Sequence, residues 1–367
     1  MRFAGFEGEW EEKKFGKVIQ RKSKSSANNS LPRVEYEDII PEIGKLNKDI
    51  NSKSSIKKGI YFESDDVLFG KLRPYLKNYL NPQFEGIAVG DFWILNNKSG
   101  DNSFLFYYLQ IPQFQYIANT SIGTKMPRSD WNLVSGSKFI YPSNNEQEKI
   151  GDLFRKIDAL IEKQEGKVSK MEDFKKSMLQ KIFPKKGELV PEFRFDGFDG
   201  EWEKKKISDI GKISAGGDID KKKISNKGRY PVIANGDSNN GIIGYYEDHY
   251  KISEPAVTIS ARGNIGTAVA RNYPFTPVIR VLTLISDNNI YFMSEAINRL
   301  RIFNESSGVP QLTSPQFGGY DIFMTKLSEQ EKIGQFFKNL DTQIETEEKL
   351  LESYKQMKKS LLQKMFV

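Results

Sequence analysis

Two stretches of the chain carry apolar residues every three or four positions over a span much longer than an ordinary globular helix. The first covers residues 145–184 and the second residues 328–367, and in both the apolar positions alternate with Glu, Asp and Lys. This spacing predicts an amphipathic α-helix. A helix of about 38 residues would be nearly 60 Å long, which is typical of a coiled coil.

So long an apolar stripe needs a partner, and the simplest partner for one helix is the other. Because each helix follows its own domain, antiparallel pairing would make the chain pseudo-twofold symmetric. Two independent core helices are the alternative. The residues predicted to form the helix pair are Ile150, Leu153, Ile157, Ile161, Met171, Met178, Ile333, Phe337, Leu340, Ile344, Leu351 and Leu361.

The regions before each helix show a different pattern, with short apolar or alternating runs between Gly, Pro, Asn and Asp. Residues 66–70 and 255–260 are predicted strands, and residues 104–109 and 290–303 are predicted helices. The expected class is α+β, with two tandem domains that each combine a mixed sheet with helices. The predicted segments are residues 1–144, 145–184, 185–327 and 328–367.

Parts of the sequence occur twice. RFAGFEGEWE at residues 2–11 returns as RFDGFDGEWE at 194–203, and EQEKIG occurs at 146–151 and at 329–334. The helices end in KKSMLQKIF and KKSLLQKMF, whereas the intervening regions share little identity. The chain is therefore two tandem units of one design. Each unit therefore has repeated segments at its ends and a different sequence between them. This organisation suggests fixed assembly surfaces that carry two different recognition surfaces.

Composition narrows the class of protein. There is no cysteine, so disulfides and thiolate zinc sites are excluded. The sequence has neither an apolar run long enough to span a bilayer nor an N-terminal apolar signal segment, so we expect a cytosolic protein without membrane contact. A net charge of +7 favours a polyanionic partner, although a generically basic protein is the alternative.

Candidate catalytic chemistry is missing from the sequence. His249 is the only histidine, which excludes histidine-based metal clusters and makes it a surface or packed residue. No Gly-x-x-x-x-Gly-Lys-Ser/Thr loop for ATP is present. We therefore predict no catalytic residue, no metal ligand and no cofactor in this chain.

The variable regions instead share basic turns that follow a predicted strand, at residues 70–75 and 260–266. Each region also has a Ser-Gly element before a polar loop, at residues 121–128 and 306–313. Arg side chains match guanine and phosphate, and Asn or Gln amides match adenine, although such loops are also ordinary protein surface. The candidate DNA-binding residues are Lys71, Arg73, Lys77, Lys125, Arg128, Arg262, Asn264, Arg271 and Gln311.

With these motifs in their duplicated order, the chain resembles the specificity subunits of type I restriction-modification systems. The resemblance covers the openings at Arg2 and Arg194, both helix starts and endings, and the run LFGKLRP at residues 68–74. It implies two target-recognition domains that each read one half of a bipartite double-stranded DNA target. The two helices would set the spacer and dock the modification subunits.

The resemblance also implies the partners of this non-catalytic chain. They would be two modification subunits and, in the full endonuclease, two restriction subunits, in the cytoplasm of a bacterium or archaeon. S-adenosylmethionine, ATP and Mg²⁺ would bind to those partner subunits.

The sequence alone leaves three other classes of function open. A self-sufficient nuclease or methyltransferase would need a cofactor site that the sequence does not show. A duplicated protein-binding adaptor would show no specific DNA binding, and a stand-alone DNA-binding regulator would bind its site without partner subunits.

Overall fold

The structure of the chain, a computed structural model, describes residues 1–50, 56–120, 125–236, 238–302 and 310–366. The chain divides into two compact units. Unit 1 comprises Met1–Glu165 and Lys349–Val367, and unit 2 comprises Gly166–Glu348. The assignment of residues 1–144 and 185–327 as recognition domains stays a prediction.

Both predicted long helices are present. They cover Asn144–Ile182 and Leu327–Met365, with 39 residues each, which corresponds to about 58 Å of helix. The first ends just before Pro184, a residue that cannot continue a helix. Because the unit boundaries fall inside both helices, each unit contains one segment of each.

Unit 1 contains two four-stranded sheets and two small two-stranded ones. In spatial order, one large sheet consists of Ser25–Ser26, Gly59–Phe62, Gly86–Ala88 and Arg33–Val34, and the other of Ile19–Lys22, Phe92–Asn97, Val67–Gly70 and Tyr79–Leu80. The two-stranded sheets pair Glu11–Lys14 with Lys138–Tyr141 and Ile39–Ile40 with Lys45–Leu46. The shorter helices are Phe15–Val18, Asn102–Tyr108, Pro112–Asn119 and Trp131–Gly136.

The strand Val67–Gly70 divides the core of unit 1 into two. Leu68 joins an apolar cluster with residues of the other large sheet, whereas Val67 and Phe69 join an aromatic cluster with the helices. Successive strand side chains point to opposite faces, so a strand buried on both faces is apolar throughout. This places the turn that follows Gly70 on a rigid support.

Unit 2 has a related arrangement. Its large sheet has the order Lys212–Ala215, Val281–Ile285, Ala256–Ser260 and Ala268–Arg271, and a three-stranded sheet has the order Ile242–Tyr246, Tyr230–Ile233 and Thr276–Pro277. Glu203–Lys206 pairs with Asp321–Met324. The shorter helices are Ile207–Ile210, Ile290–Asn298 and Ser314–Gly318. The helix predicted for residues 290–303 therefore ends at Asn298, and Phe303 lies outside the described residues.

The repeated opening and the repeated helix start are joined by an ion pair that occurs in both units. Arg2 donates from Nε and Nη2 to the two carboxylate oxygens of Glu146, at 2.8 and 2.7 Å. Arg194 binds Glu329 in the same way, also at 2.8 and 2.7 Å. Both glutamates are buried, with 1% of the side chain exposed. The two motifs are thus repeated together because they form one bidentate contact.

The rest of EQEKIG contacts the helix that packs on each sheet. Gly151 lies against Asp101, which caps the helix Asn102–Tyr108, and Gly334 lies against Asn289, which caps Ile290–Asn298. A Cβ on Gly334 would be 2.1 Å from the Asn289 Oδ1 atom, and one on Gly151 would be 2.4 Å from the Asp101 Oδ1 atom. Only glycine allows these two helices to approach so closely.

Within each unit the segments of the two long helices run antiparallel. In unit 1, Lys358 Nζ lies 2.7 Å from Asp158 Oδ1 and Lys355 Nζ lies 2.8 Å from Glu165 Oε1. In unit 2, Lys167 Nζ lies 2.6 Å from Glu347 Oε1 and Lys175 Nζ lies 2.6 Å from Asp341 Oδ1. Higher numbers on one helix meet lower numbers on the other, so the predicted antiparallel pairing and the α+β class are confirmed.

The predicted helix-pair residues lie mostly inside the cores of the units. Ile150, Ile157, Ile161, Ile333, Phe337 and Leu340 are buried. Leu153, Met178, Leu351 and Leu361 are partly buried and pack against the core clusters, and Met171 and Ile344 are half-buried. The apolar stripe of each long helix therefore packs against the sheet and the shorter helices of a unit as well as against the other long helix. None of the helices, over the residues that the structure describes, is both long and apolar enough to cross a membrane.

Candidate nucleic-acid interface

In unit 1, the turn after the strand Val67–Gly70 is held by a second stretch of chain. The backbone N–H of Arg73 donates to the Pro127 carbonyl at 2.7 Å, and that of Ser129 donates to the Lys71 carbonyl at 2.8 Å. Leu72 and Arg128 form an isolated antiparallel bridge. The predicted residues Lys71, Arg73 and Arg128 are therefore brought together, although 55 positions separate the two stretches.

Arg73, like Arg128, is exposed. Its backbone is left-handed, with φ of 49°, and it precedes the short 3₁₀ turn Pro74–Leu76. A non-glycine residue in this region is strained, and such strain is concentrated at functional sites. The turn therefore projects an arginine from a backbone geometry that the fold maintains at a cost in stability.

Asp91 supplies the counter-ion for the other two cations. Arg128 approaches the Asp91 Oδ2 atom to 3.0 Å from Nε and 2.9 Å from Nη2, and Lys71 Nζ lies 3.3 Å from Oδ1. Partial burial opposes ionisation of Asp91, but the hydrogen bonds from Arg128 and Lys71 outweigh it and lower the pKa of that carboxyl. Both cations are thus already paired within the protein.

Two predicted residues of unit 1 lie apart from this group or at its margin. Lys77 binds Glu42 Oε1 at 2.8 Å and lines a groove of about 630 Å³ with Lys45, Asp158 and Lys358, beside the long helices. Lys125 is exposed and begins the described stretch that leads to Pro127. Residues 121–124 and 306–309 of the two Ser-Gly elements lie outside the described residues.

Unit 2 holds its corresponding turn in the same way. The backbone N–H of Leu312 donates to the Ala261 carbonyl at 3.0 Å, and that of Ala261 donates to the Asn235 Oδ1 atom at 2.8 Å. The turn closes on itself through Gly266 N–H to the Ser260 carbonyl at 2.8 Å. Because Leu312 binds Ala261, the neighbouring Gln311 lies beside the turn that carries Arg262 and Asn264.

The structure contradicts the prediction for Arg271. Its side chain is only 2% exposed and donates to Thr258 Oγ1, Tyr273 Oη and the Asn240 carbonyl. Arg271 ends a strand whose partner is the buried strand Ala256–Ser260, and its guanidinium is used to satisfy internal acceptors. It is a structural residue and does not present a free cation to DNA.

Three residues of these clusters were missed by sequence reasoning. Asp91 is the counter-ion of unit 1, Asn235 orients the turn of unit 2, and Arg280 lies opposite Ala261 because Val281 pairs with Ser260. None is part of a recurring motif, and each lies just outside a strand that was not predicted, so no pattern in the sequence marked them. Over the described residues, no group of three or more His, Asp and Glu side chains is arranged to hold a metal ion.

Comparison with known proteins identifies this arrangement. A family model described as the type I restriction modification DNA specificity domain matches residues 199–356. The chain is 25% identical over 265 residues to a putative type I specificity subunit of Mycoplasma pneumoniae. The matched region covers 70% of this chain and 68% of that relative. Residues 199–356 therefore match the type I specificity domain, and most of the chain is similar to type I specificity subunits.

A second relative and a solved structure agree with this assignment. The specificity subunit of the Escherichia coli type I restriction enzyme EcoDI is 25% identical over 143 residues, 38% of this chain and 32% of that one. The crystal structure of an S subunit of a type I restriction-modification system from M. genitalium superposes with a TM-score of 0.71, covering 98% of this chain and 96% of that chain at 15% identity. The structural likeness establishes the shared fold.

A type I specificity subunit is the DNA-recognition component of a restriction-modification complex and is not its catalyst. This role explains why the two units share their repeated segments but differ in the residues of their strand-end turns. The specificity subunit acts together with DNA and with the other subunits of its complex. The alternatives of a protein-binding adaptor and a stand-alone regulator are not favoured.

Proposed function

We propose that each unit of this specificity subunit reads one half of a bipartite double-stranded DNA target with its own strand-end turn. The observation that carries the proposal is the common clamp: Ser129 N–H binds the Lys71 carbonyl in unit 1, and Leu312 N–H binds the Ala261 carbonyl in unit 2. The backbone frame is the same, whereas the side chains that it projects differ. Two such turns can therefore recognise two different half-sites.

Individual roles follow from side-chain chemistry. Arg73 and Arg262 present guanidinium groups that suit a guanine edge or a phosphate, and Lys71, Lys125 and Arg128 suit phosphates. Asn264 and Gln311 carry amides that match adenine. Lys77, which is paired with Glu42 beside the long helices, has the weakest support as a DNA contact.

The partner subunits follow from the repeated elements. Because the same ion pairs and helix contacts occur in both units, each unit can offer one identical docking surface, which favours two modification subunits and, in the endonuclease, two restriction subunits. S-adenosylmethionine, ATP and Mg²⁺ would bind to those subunits, in the cytoplasm of the cell. The exposed apolar residues Leu160 and Phe174 on the first long helix fit such docking.

Replacing Arg262 by alanine should weaken binding of the cognate site by the complete complex by about 5- to 150-fold, because a direct arginine contact contributes about 1 to 3 kcal/mol. Arg73→Ala should do the same through the other half-site. Competition binding with substituted half-sites measures both effects at physiological salt. The matched controls are Lys204→Ala and Lys138→Ala, which remove exposed cations from the outer two-stranded sheets. Equal binding by all four variants would refute the assignment.

Methylome sequencing of a host with and without this chain tests the whole proposal. We expect one bipartite motif that is methylated only when the chain is present. A variant with seven residues inserted after Glu165 and seven after Glu348 lengthens both helices at the unit boundaries and leaves the contacts within each unit intact. This variant should keep both half-sites and lengthen the spacer between them. An unchanged spacer would refute the role of the helices in setting it.

A further inference from the structure

Asp91 of unit 1 and Arg280 of unit 2 occupy the same position in the two units. The residue after each pairs with the end of the strand that carries the turn, Phe92 with Gly70 and Val281 with Ser260. The hydrogen bonds of the residue two positions earlier are also equivalent in the two units. Two residues before Asp91, the Val89 N–H binds the Val34 carbonyl at 2.9 Å. Two residues before Arg280, the Val278 N–H binds the Ile233 carbonyl at 2.8 Å. A carboxylate in one unit is therefore replaced by a guanidinium in the other.

The surroundings of the two side chains are opposite in kind. Asp91 is fully engaged, since it neutralises both Lys71 and Arg128. Arg280 makes no side-chain hydrogen bond or ion pair with any residue that the structure describes, and its Nη1 atom is buried without a partner. Arg262, on the neighbouring turn, also has a buried Nε without a hydrogen-bond partner in the described part of the chain.

Arg280 is also strained. Its φ is 75°, in the left-handed region that favours glycine, and the backbone is fixed there by the Gly216 N–H, which binds the Val281 carbonyl at 2.7 Å. A charged donor that is covered and unpaired destabilises a fold, and a left-handed arginine adds to that cost. Two unfavourable features at one residue beside the recognition turn indicate a ligand with negative charge.

We propose that Arg280 binds a DNA phosphate next to the half-site of unit 2, and that Asp91 weakens phosphate binding in unit 1. This inference rests on the proposed function. The Arg280 side chain is half-buried, with only part of the guanidinium at the surface, which suits a contact to the DNA backbone more than insertion into a groove. In unit 1, Asp91 holds Lys71 and Arg128, so phosphates must compete with a carboxylate for both cations. Unit 2 consequently contributes more of the salt-dependent affinity than unit 1.

The salt dependence of binding tests the proposal, with the full chain assembled with its modification subunits. Arg280→Gln should weaken binding on the order of tenfold at physiological salt. It should also reduce the slope of log K against log salt by about one, for cognate and unrelated DNA alike. Arg280→Lys should keep the slope because it keeps the charge. In unit 1, Asp91→Asn should steepen the slope, because Lys71 and Arg128 become available to phosphates.

Arg280→Gly keeps the test valid if the glutamine variant does not fold, because glycine removes the guanidinium and relieves the positive φ. Unchanged affinity and slope for the folded Gln or Gly variant would overturn the proposal. A changed base preference at an unchanged slope would overturn it as well, since Arg280 would then read a base. An unchanged slope for Asp91→Asn would refute the role of Asp91. Absence of specific binding by the wild-type complex would overturn the proposed function itself, and with it this inference.

Discussion

Replacing Glu329 by alanine should lower the free energy of unfolding of unit 2 by about 3 to 5 kcal/mol, the usual cost of removing one partner from a buried ion pair. Glu329 is buried and accepts two hydrogen bonds from Arg194, whose side chain is itself only 14% exposed. Without the carboxylate, the guanidinium would stay covered and unpaired. Urea denaturation combined with hydrogen exchange of the peptides around Arg194 measures the loss.

The equivalent pair in unit 1 provides an internal comparison. Arg2 is 30% exposed, so water can solvate its guanidinium when Glu146 is replaced by alanine, and we expect a smaller loss there. Glu331→Ala is the matched control for Glu329→Ala, because Glu331 lies on the same helical turn and is exposed; its effect should stay within about 0.5 kcal/mol. Equal stability of the Glu329 and Glu331 variants would show that the buried pair does not hold the helix to the repeated opening.

Replacing Phe366 by alanine should destabilise unit 1 by about 3 to 5 kcal/mol, as expected for deleting a buried aromatic side chain. Phe366 is 4% exposed, and its ring centroid lies 5.1 Å from that of Phe104 and 5.9 Å from that of Phe154. These rings belong to the main core cluster of unit 1, so alanine would leave a cavity among buried side chains. Thermal or chemical unfolding of the isolated chain measures the effect.

Met357→Ala is the control for this second prediction, because Met357 lies on the long helix that Phe366 directly follows but is 41% exposed. Its replacement should change the free energy of unfolding by no more than about 0.5 kcal/mol. The equivalent residue of unit 2, Phe183, packs against Trp202 and Phe292 with centroids at 5.6 and 5.4 Å, and Phe183→Ala should behave like Phe366→Ala. If Phe366→Ala were as stable as Met357→Ala, the end of the second long helix would not be an integral part of the unit 1 core.

The long helices and the tandem design could be predicted because they rest on periodicity and repetition, which are properties of the chain alone. The strands that lead into the two turns could also be predicted, since Val67–Gly70 and Ala256–Ser260 are short apolar runs between turn residues. The pairing of Arg2 with Glu146 also had a signal in the sequence. Opposite charges that recur together in both copies, Arg2 with Glu146 and Arg194 with Glu329, are candidates for contact.

The candidate DNA contacts were less predictable, because the charge of a residue does not say which way its side chain points. Arg271 and Arg262 are both basic residues close to the strand Ala256–Ser260. Arg271 hydrogen-bonds internal acceptors, whereas the Nε atom of Arg262 has no hydrogen-bond partner among the residues that the structure describes. Arg280 was missed because its importance depends on a cross-strand neighbour, Ala261, that is 19 positions away in the sequence. Such contacts follow from strand register, which a single sequence does not specify.

The division of the chain into units has a consequence for the order of events during synthesis. Unit 2 is one continuous stretch, Gly166–Glu348, whereas unit 1 needs Lys349–Val367 to complete a core that begins with residue 1. At cellular rates of about 5 to 20 residues per second, the roughly 180 intervening residues take on the order of ten to forty seconds to translate. Throughout that interval the apolar face of the first long helix, including Ile157 and Ile161, lacks its cover on the nascent chain. The unit encoded first therefore completes its core only after Lys349–Val367 has been synthesised.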